Sequence, residues 1–170
     1  MTTVTPTLST HRRALLIAIT LGVALSACSS PLQAASPPRQ VLFVCEHGNV
    51  KSLMAASYFN ELAQARGLPF RAVSRGLAPD SDTVPDFVKK PLAAEGFDIS
   101  GFRPQRVTDN DIVASDLVIA ISTTLPAEAA SVAAKIEQWN DVPAASTDYA
   151  RSRDSIKAHV VELLERLAHP

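Results

Sequence analysis

The chain has 170 residues, 46% of them hydrophobic, with 16 Lys and Arg against 17 Asp and Glu and a formal net charge of −1. No Lys/Arg block and no interleaving of basic with aromatic residues occurs, which argues against nucleic acid as a partner. No internal repeat is visible, so a solenoid or repeat array is not expected.

The N-terminus reads as an export signal. His11, Arg12 and Arg13 form a positive region, and ALLIAITLGVALSA (14–27) is an uninterrupted run of apolar and small residues. That run has the length of a signal-peptide core and falls short of the roughly 20 residues of a membrane-spanning helix. It ends in Leu25-Ser26-Ala27-Cys28, which resembles the lipobox of bacterial lipoproteins. The resemblance implies a lipid on Cys28 as the first mature residue and retention on the periplasmic side of a membrane. Ser29 points to the outer membrane by the same resemblance. An ordinary cleaved signal with Cys28 as incidental flank is the competing reading. The expected organisation is a signal peptide at 1–27, a small, polar and proline-rich tether at 28–39, and one domain at 40–170. Loss of 1–27 removes Arg12 and Arg13 and no acidic residue, leaving 14 basic against 17 acidic side chains. With Cys28 lipidated, Cys45 is the single thiol and no intrachain disulfide is possible; a lone exported cysteine is a liability unless buried or used.

Along the domain, strand and helix signals alternate. VLFVC (41–45) is a short continuous apolar run, as in a strand buried on both faces. From Ser52 the apolar residues Leu53, Ala56, Phe59, Leu62 and Ala63 recur at helical spacing until Gly67. FRAVSRGL (70–77) is a second strand, and a helix over 84–95 with Thr83 as its cap follows, ending at Gly96. DLVIAIS (116–122) is a third strand, followed by a helix around 126–134 and a fourth strand at KIEQW (135–139). The final helix, 156–168, carries Ile156, Val160, Leu163, Leu164 and Leu167 on one stripe. This rhythm predicts an α/β domain: a small doubly wound four-stranded parallel sheet with helices on both faces. Ligands of such sheets bind beyond the carboxyl ends of the strands, where strand order reverses, and Cys45 stands at that end of the first strand.

Cys45, five intervening residues, a cationic residue and Ser52 resemble the C-x5-R-S loop of low-molecular-weight protein tyrosine phosphatases and the arsenate reductases that share their fold. SLMAASYFNELA resembles the family's first helix. Residues 72–108 are similar to its second strand, second helix and following turn, and SDLVIAIS to its third strand, so the likeness covers roughly 40–168. It implies a phosphate-binding loop made by Glu46, His47, Gly48, Asn49, Val50 and Lys51, with Cys45 as nucleophile and Ser52 donating to its sulfur. Phosphate or a similar oxyanion is the implied ligand, a phosphorylated molecule the implied substrate, and neither metal nor cofactor is needed. The physics is coherent. Backbone N–H groups and the dipole at a helix N-terminus favour the thiolate, the attacking form, and hold the oxygens of an oxyanion. Gly48 can take the positive φ that a tight cradle needs.

Four departures from the family pattern stand out. Lys51 replaces the arginine, supplying charge without the planar fork that holds two oxygens at once. Gly48-Asn49 lies one position later, relative to the cysteine, than the family's Gly-Asn pair. Glu46 and His47 stand where small or neutral residues are usual; Glu46 is either solvated or repels an anion, and His47 either helps hold an oxyanion or has no role. The family's general acid, an aspartate usually followed by proline on the loop after the fourth strand, has no plain counterpart in WNDVPAASTDYARS (139–152). Asp141 and Asp148 are the two candidates there, each also readable as a turn or helix-capping residue. Tyr149 either walls the pocket or packs. Thioredoxin-coupled arsenate reduction needs further cysteines to relay a disulfide, and 115–135 has none. Three readings therefore remain open: a cysteine-dependent phosphomonoester hydrolase, a non-catalytic oxyanion-binding or sensing module, and an arsenate reductase served by an external thiol.

Overall fold

The computed structural model describes residues 1–3 and 37–169. The signal-peptide and Cys28 lipidation readings, and most of the tether, lie outside the described residues. Among the described residues no helix is long and apolar enough to cross a membrane.

The domain's elements run β1 (Arg39–Cys45), α1 (Lys51–Ala65), β2 (Phe70–Gly76), α2 (Asp86–Ala94), α3 (Asp109–Val113), β3 (Leu117–Ile121), α4 (Ala127–Val132), β4 (Ile136–Trp139) and α5 (Tyr149–Ala168). The four strands form one parallel sheet in the order β2-β1-β3-β4, as the alternating pattern predicts. Strand order reverses between β1 and β3, so the crevice for a ligand opens at the end of β1, at Cys45.

Alternation along β1 explains its unbroken apolar run. Val41, Phe43 and Cys45 join the cluster made with α1, α2 and α5. Leu42 and Val44 face the other way, toward Ile112 of α3 and Ala129 of α4. Phe43 is fully buried, edge-on to Phe59 at 5.8 Å and tilted against Trp139 at 5.4 Å between ring centroids. Truncating such a side chain to alanine costs about 3–5 kcal/mol.

Several boundaries differ from expectation, each for a local reason. Thr83 does not cap the second helix: Pro85 occupies the N-cap position with φ −57°, and α2 starts at Asp86. The final helix begins seven residues earlier than its apolar stripe, because the Asp148 carboxylate accepts from the Arg151 N–H and caps it there. The five-residue α3 was not expected; it is too short to show periodicity and is held by a reciprocal capping box between Thr108 and Asp111.

Candidate active site

Beyond β1 the chain crosses directly to α1 through residues 46–50. The crossing is tight because Gly48 adopts φ +75° and passes against Gly76; a Cβ on Gly48 would stand 2.5 Å from the Gly76 nitrogen, and one on Gly76 would stand 2.6 Å from the His47 carbonyl carbon. The two glycines thus let the loop backbone lie on the end of β2. Pairing continues past the strands, with the Leu77 N–H donating to the Cys45 carbonyl at 3.0 Å and the Ala78 N–H to the Glu46 carbonyl at 2.8 Å.

This folding leaves the Cys45 sulfur inside the loop, 5% exposed. It accepts from the Gly48 N–H at 3.3 Å and lies 3.0 Å from the Ser52 hydroxyl. Ser52, fully buried, is backed in turn by Ser74 of β2 at 2.9 Å. Ser74 Oγ also lies 3.1 Å from the Gly48 carbonyl, so its one proton is shared between that oxygen and Ser52, leaving the Ser52 proton for the sulfur. No side chain caps the N-terminus of α1 and no acidic residue stands in its first turn. Its leading N–H groups and the positive end of its dipole are therefore directed at whatever occupies the loop.

A cavity of about 430 Å³ opens at this point, lined by Cys45, Glu46, His47, Asn49, Val50 and Lys51 of the loop. Gly48 and Ser52 are not among its lining residues, but both contact the Cys45 sulfur. Lys51 Nζ donates to the Val142 carbonyl at 3.1 Å, and the Ser122 hydroxyl donates to the same oxygen at 3.1 Å. Burial lowers the Lys51 pKa below the ordinary lysine value, and the neighbouring Cys45 opposes that shift. Glu46 is exposed at the rim, its carboxylate accepting from Thr123 Oγ1 at 3.3 Å. His47 Nδ1 donates to the Ala78 carbonyl at 3.1 Å and lies 3.6 Å from the Asp80 carboxylate. Asn49 is 3% exposed; its amide nitrogen donates to the Thr83 carbonyl at 3.1 Å, while its Oδ1 has no partner.

The two candidate acids sit elsewhere. The loop between β4 and α5 contributes Ala144, Ala145 and Ser146 to the cavity wall, but neither Asp141 nor Asp148. Asp141 pairs with His159 Nε2 at 2.8 Å, a hydrogen bond that holds its carboxyl below the usual carboxylate range; the imidazole is also stacked on Trp139 at 4.7 Å. Asp148 caps α5. Tyr149 packs against the core and does not line the cavity.

Among the cavity and support residues that escaped the sequence reading are Ser74, Asp80, Phe87 and Ser122. Ser122 follows the third strand at the same sheet edge as Cys45 and holds φ +49°, an uncommon conformation for a residue with a Cβ and one that concentrates near functional sites. Its place at a strand's carboxyl end was a usable signal. Ser74 gave none, being one polar residue in an alternating strand.

The comparisons agree with this fold. The sequence model of the family described as low molecular weight phosphotyrosine protein phosphatase matches residues 40–169. No curated protein matches the chain. Among solved structures, the chain is similar to a low molecular weight protein tyrosine phosphatase from T. tengcongensis, at 24% identity and TM-score 0.68 over 75% of this chain and 99% of that one. It is also similar to the thioredoxin-dependent arsenate reductase Cg_ArsC1' of Corynebacterium glutamicum, at 25% identity and TM-score 0.61 over 79% of this chain but 64% of that one. A third likeness is to an arsenate reductase in the phosphate binding state, at 22% identity and TM-score 0.61 over 76% and 98% of the two chains. The family match spans nearly the whole domain and the fold is shared with phosphatases and reductases alike: this chain belongs to the low molecular weight phosphotyrosine protein phosphatase family.

Proposed function

We propose that the chain is a cysteine-dependent phosphomonoester hydrolase, held by a lipid on Cys28 at the periplasmic face of a membrane. The observation that carries the catalytic part is the placement of Cys45 Sγ, bonded by the Gly48 N–H and Ser52 at the mouth of an uncapped helix. In the first step the Cys45 thiolate attacks phosphorus; the P–S bond forms as the P–O bond to the leaving group breaks, and the leaving oxygen takes a proton from a carboxylic acid. In the second, water attacks phosphorus, the P–S bond breaks with its electrons returning to sulfur, and the carboxylate takes the water's proton. Ser52 assists this departure by donating to the sulfur. Lys51 and the first N–H groups of α1 hold the phosphoryl oxygens. The loop between β4 and α5 supplies the acid, with Asp141 and Asp148 as its two candidates; catalytic hydrogen bonds are often formed only with substrate bound.

A second reading has its own support. Lys51 is engaged by the Val142 carbonyl and both aspartates are engaged away from the cavity, as in a module that binds an oxyanion without turning it over. The test is hydrolysis of p-nitrophenyl phosphate by the full chain in detergent. Turnover abolished by Cys45→Ser supports the enzyme. Ser52→Ala should slow dephosphorylation by about 10–100-fold, the worth of a hydrogen bond to a charged group, and should expose a burst of p-nitrophenol. Protection of Cys45 from iodoacetamide by phosphate without any turnover would establish the binding module instead.

A further inference from the structure

The cavity beside Cys45 is two-sided. One side supplies donors and positive charge: the N-terminus of α1 and the Lys51 ammonium. The other supplies acceptors. The Glu46 and Asp80 carboxylates both belong to the lining, and so does Asn49, whose buried Oδ1 has no hydrogen-bond partner. An orphaned acceptor at 3% exposure is costly unless a ligand donor reaches it. Glu46 accepts from Thr123 and Asp80 stands beside His47, and among the described residues neither carboxylate pairs with a lysine or arginine. A purely anionic phosphate ester would meet two carboxylates beside Lys51 and the N-terminus of α1, a less favourable field than a zwitterion would find in the same cleft. Pro85 and Phe87 add an apolar wall able to cover a short carbon stem.

We propose that this acceptor side is a subsite for a cation on the substrate's leaving group, so that the preferred substrates are phosphomonoesters carrying an ammonium or similar donor a few bonds from phosphorus. The idea rests on the oxyanion cradle described above and deepens it. The phosphoryl group lies on the helix terminus and Lys51, and the cationic end lies between Glu46 and Asp80, with an N–H directed to Asn49 Oδ1. Negative charge at the rim then selects among phosphates, repelling simple dianions and admitting zwitterions.

The experiment compares O-phosphoethanolamine with ethyl phosphate, which lacks the ammonium, as protectants of Cys45 against iodoacetamide in the full chain in detergent. Inorganic phosphate serves as the reference. This readout needs no turnover. Phosphoethanolamine should half-protect at a concentration about fivefold lower than ethyl phosphate, the scale of one or two solvent-accessible ion pairs. Glu46→Gln and Asp80→Asn should each shrink that ratio, and together they should bring it to one. Equal protection by the two esters, or a preference that survives the double substitution, overturns the subsite alone. Failure of inorganic phosphate to protect the wild type removes the cradle itself and the subsite with it.

Discussion

Lys51 Nζ, on the first residue of α1, donates to the Val142 carbonyl on the loop beyond β4, at 3.1 Å. One ammonium therefore ties the loop that carries the candidate acids to the loop that carries the nucleophile. A phosphoryl group in the cradle competes for the same three protons.

The first prediction concerns that ammonium. Because burial lowers its pKa, Lys51 loses its proton at lower pH than an exposed lysine. The unfolded chain then binds more protons across the window between the lowered and the ordinary value. Stability contributed at this site accordingly rises with pH there, while affinity for an anion falls. Calorimetric titration with phosphate should show binding fading through that window in the wild type and persisting to higher pH in Lys51→Arg. Under the hydrolase reading, the same substitution should raise kcat for p-nitrophenyl phosphate on the order of tenfold, more than it lowers KM, since the fork grips two oxygens of the transition state. Fading at the same pH in both proteins would exclude Lys51 as the titrating group.

A pair of glycines gives the second. Gly48 and Gly67 both have positive φ, +75° and +64°, but a Cβ on Gly67 meets nothing within 4 Å. Gly67→Ala should cost only the conformational strain, about 1–2 kcal/mol. Gly48→Ala adds a backbone collision with Gly76 and should cost about 2–4 kcal/mol, with phosphate protection of Cys45 lost. Equal shifts of the two urea midpoints would mean that the loop relaxes freely and that its close approach to β2 is not needed.

The fold was legible because its signals are local and redundant. The run from Val41 to Cys45, the break at Gly67 and the run before Ser122 each mark one element, and their order alone implies parallel pairing. The loop residues from Cys45 to Ser52 were legible for the same reason, being contiguous. What stayed hidden is carried by groups that leave little trace in a sequence. The Lys51 partner is a main-chain carbonyl, which every residue has. Ser74 and Asp80 reach the loop only through strand pairing and the turn after β2. Thr83 offered a plausible cap, yet the fixed φ of Pro85 two residues on decided where α2 begins.

Anchoring is the third prediction, on a segment outside the described residues. Cys28→Ser should leave the domain folded, because that position lies outside the 40–169 family match, while moving the protein from the membrane to the soluble fraction. Unchanged partition of the variant, with no lipid found on the wild-type N-terminus by mass spectrometry, would count against the lipobox.

The last prediction assigns the acid. A general acid has to arrive protonated, and the His159 bond favours the ionised form of Asp141. Asp148 lies two residues from Ser146 of the cavity wall and gives up only a helix cap if it turns inward. Asparagine caps about as well as aspartate, so Asp148→Asn should leave stability nearly unchanged and isolate the loss of the proton. With an unactivated alkyl phosphate, Asp148→Asn should lower kcat by about 100-fold or more. With p-nitrophenyl phosphate, whose leaving group needs little protonation, the loss should stay within a few-fold. Asp141→Asn should behave oppositely in stability, losing the His159 pair, and should leave the ratio of the two substrates unchanged. A selective loss in Asp141→Asn would transfer the role to that residue. If both variants keep the wild-type ratio, the loop between β4 and α5 supplies no proton, and hydrolysis is confined to esters that leave without one.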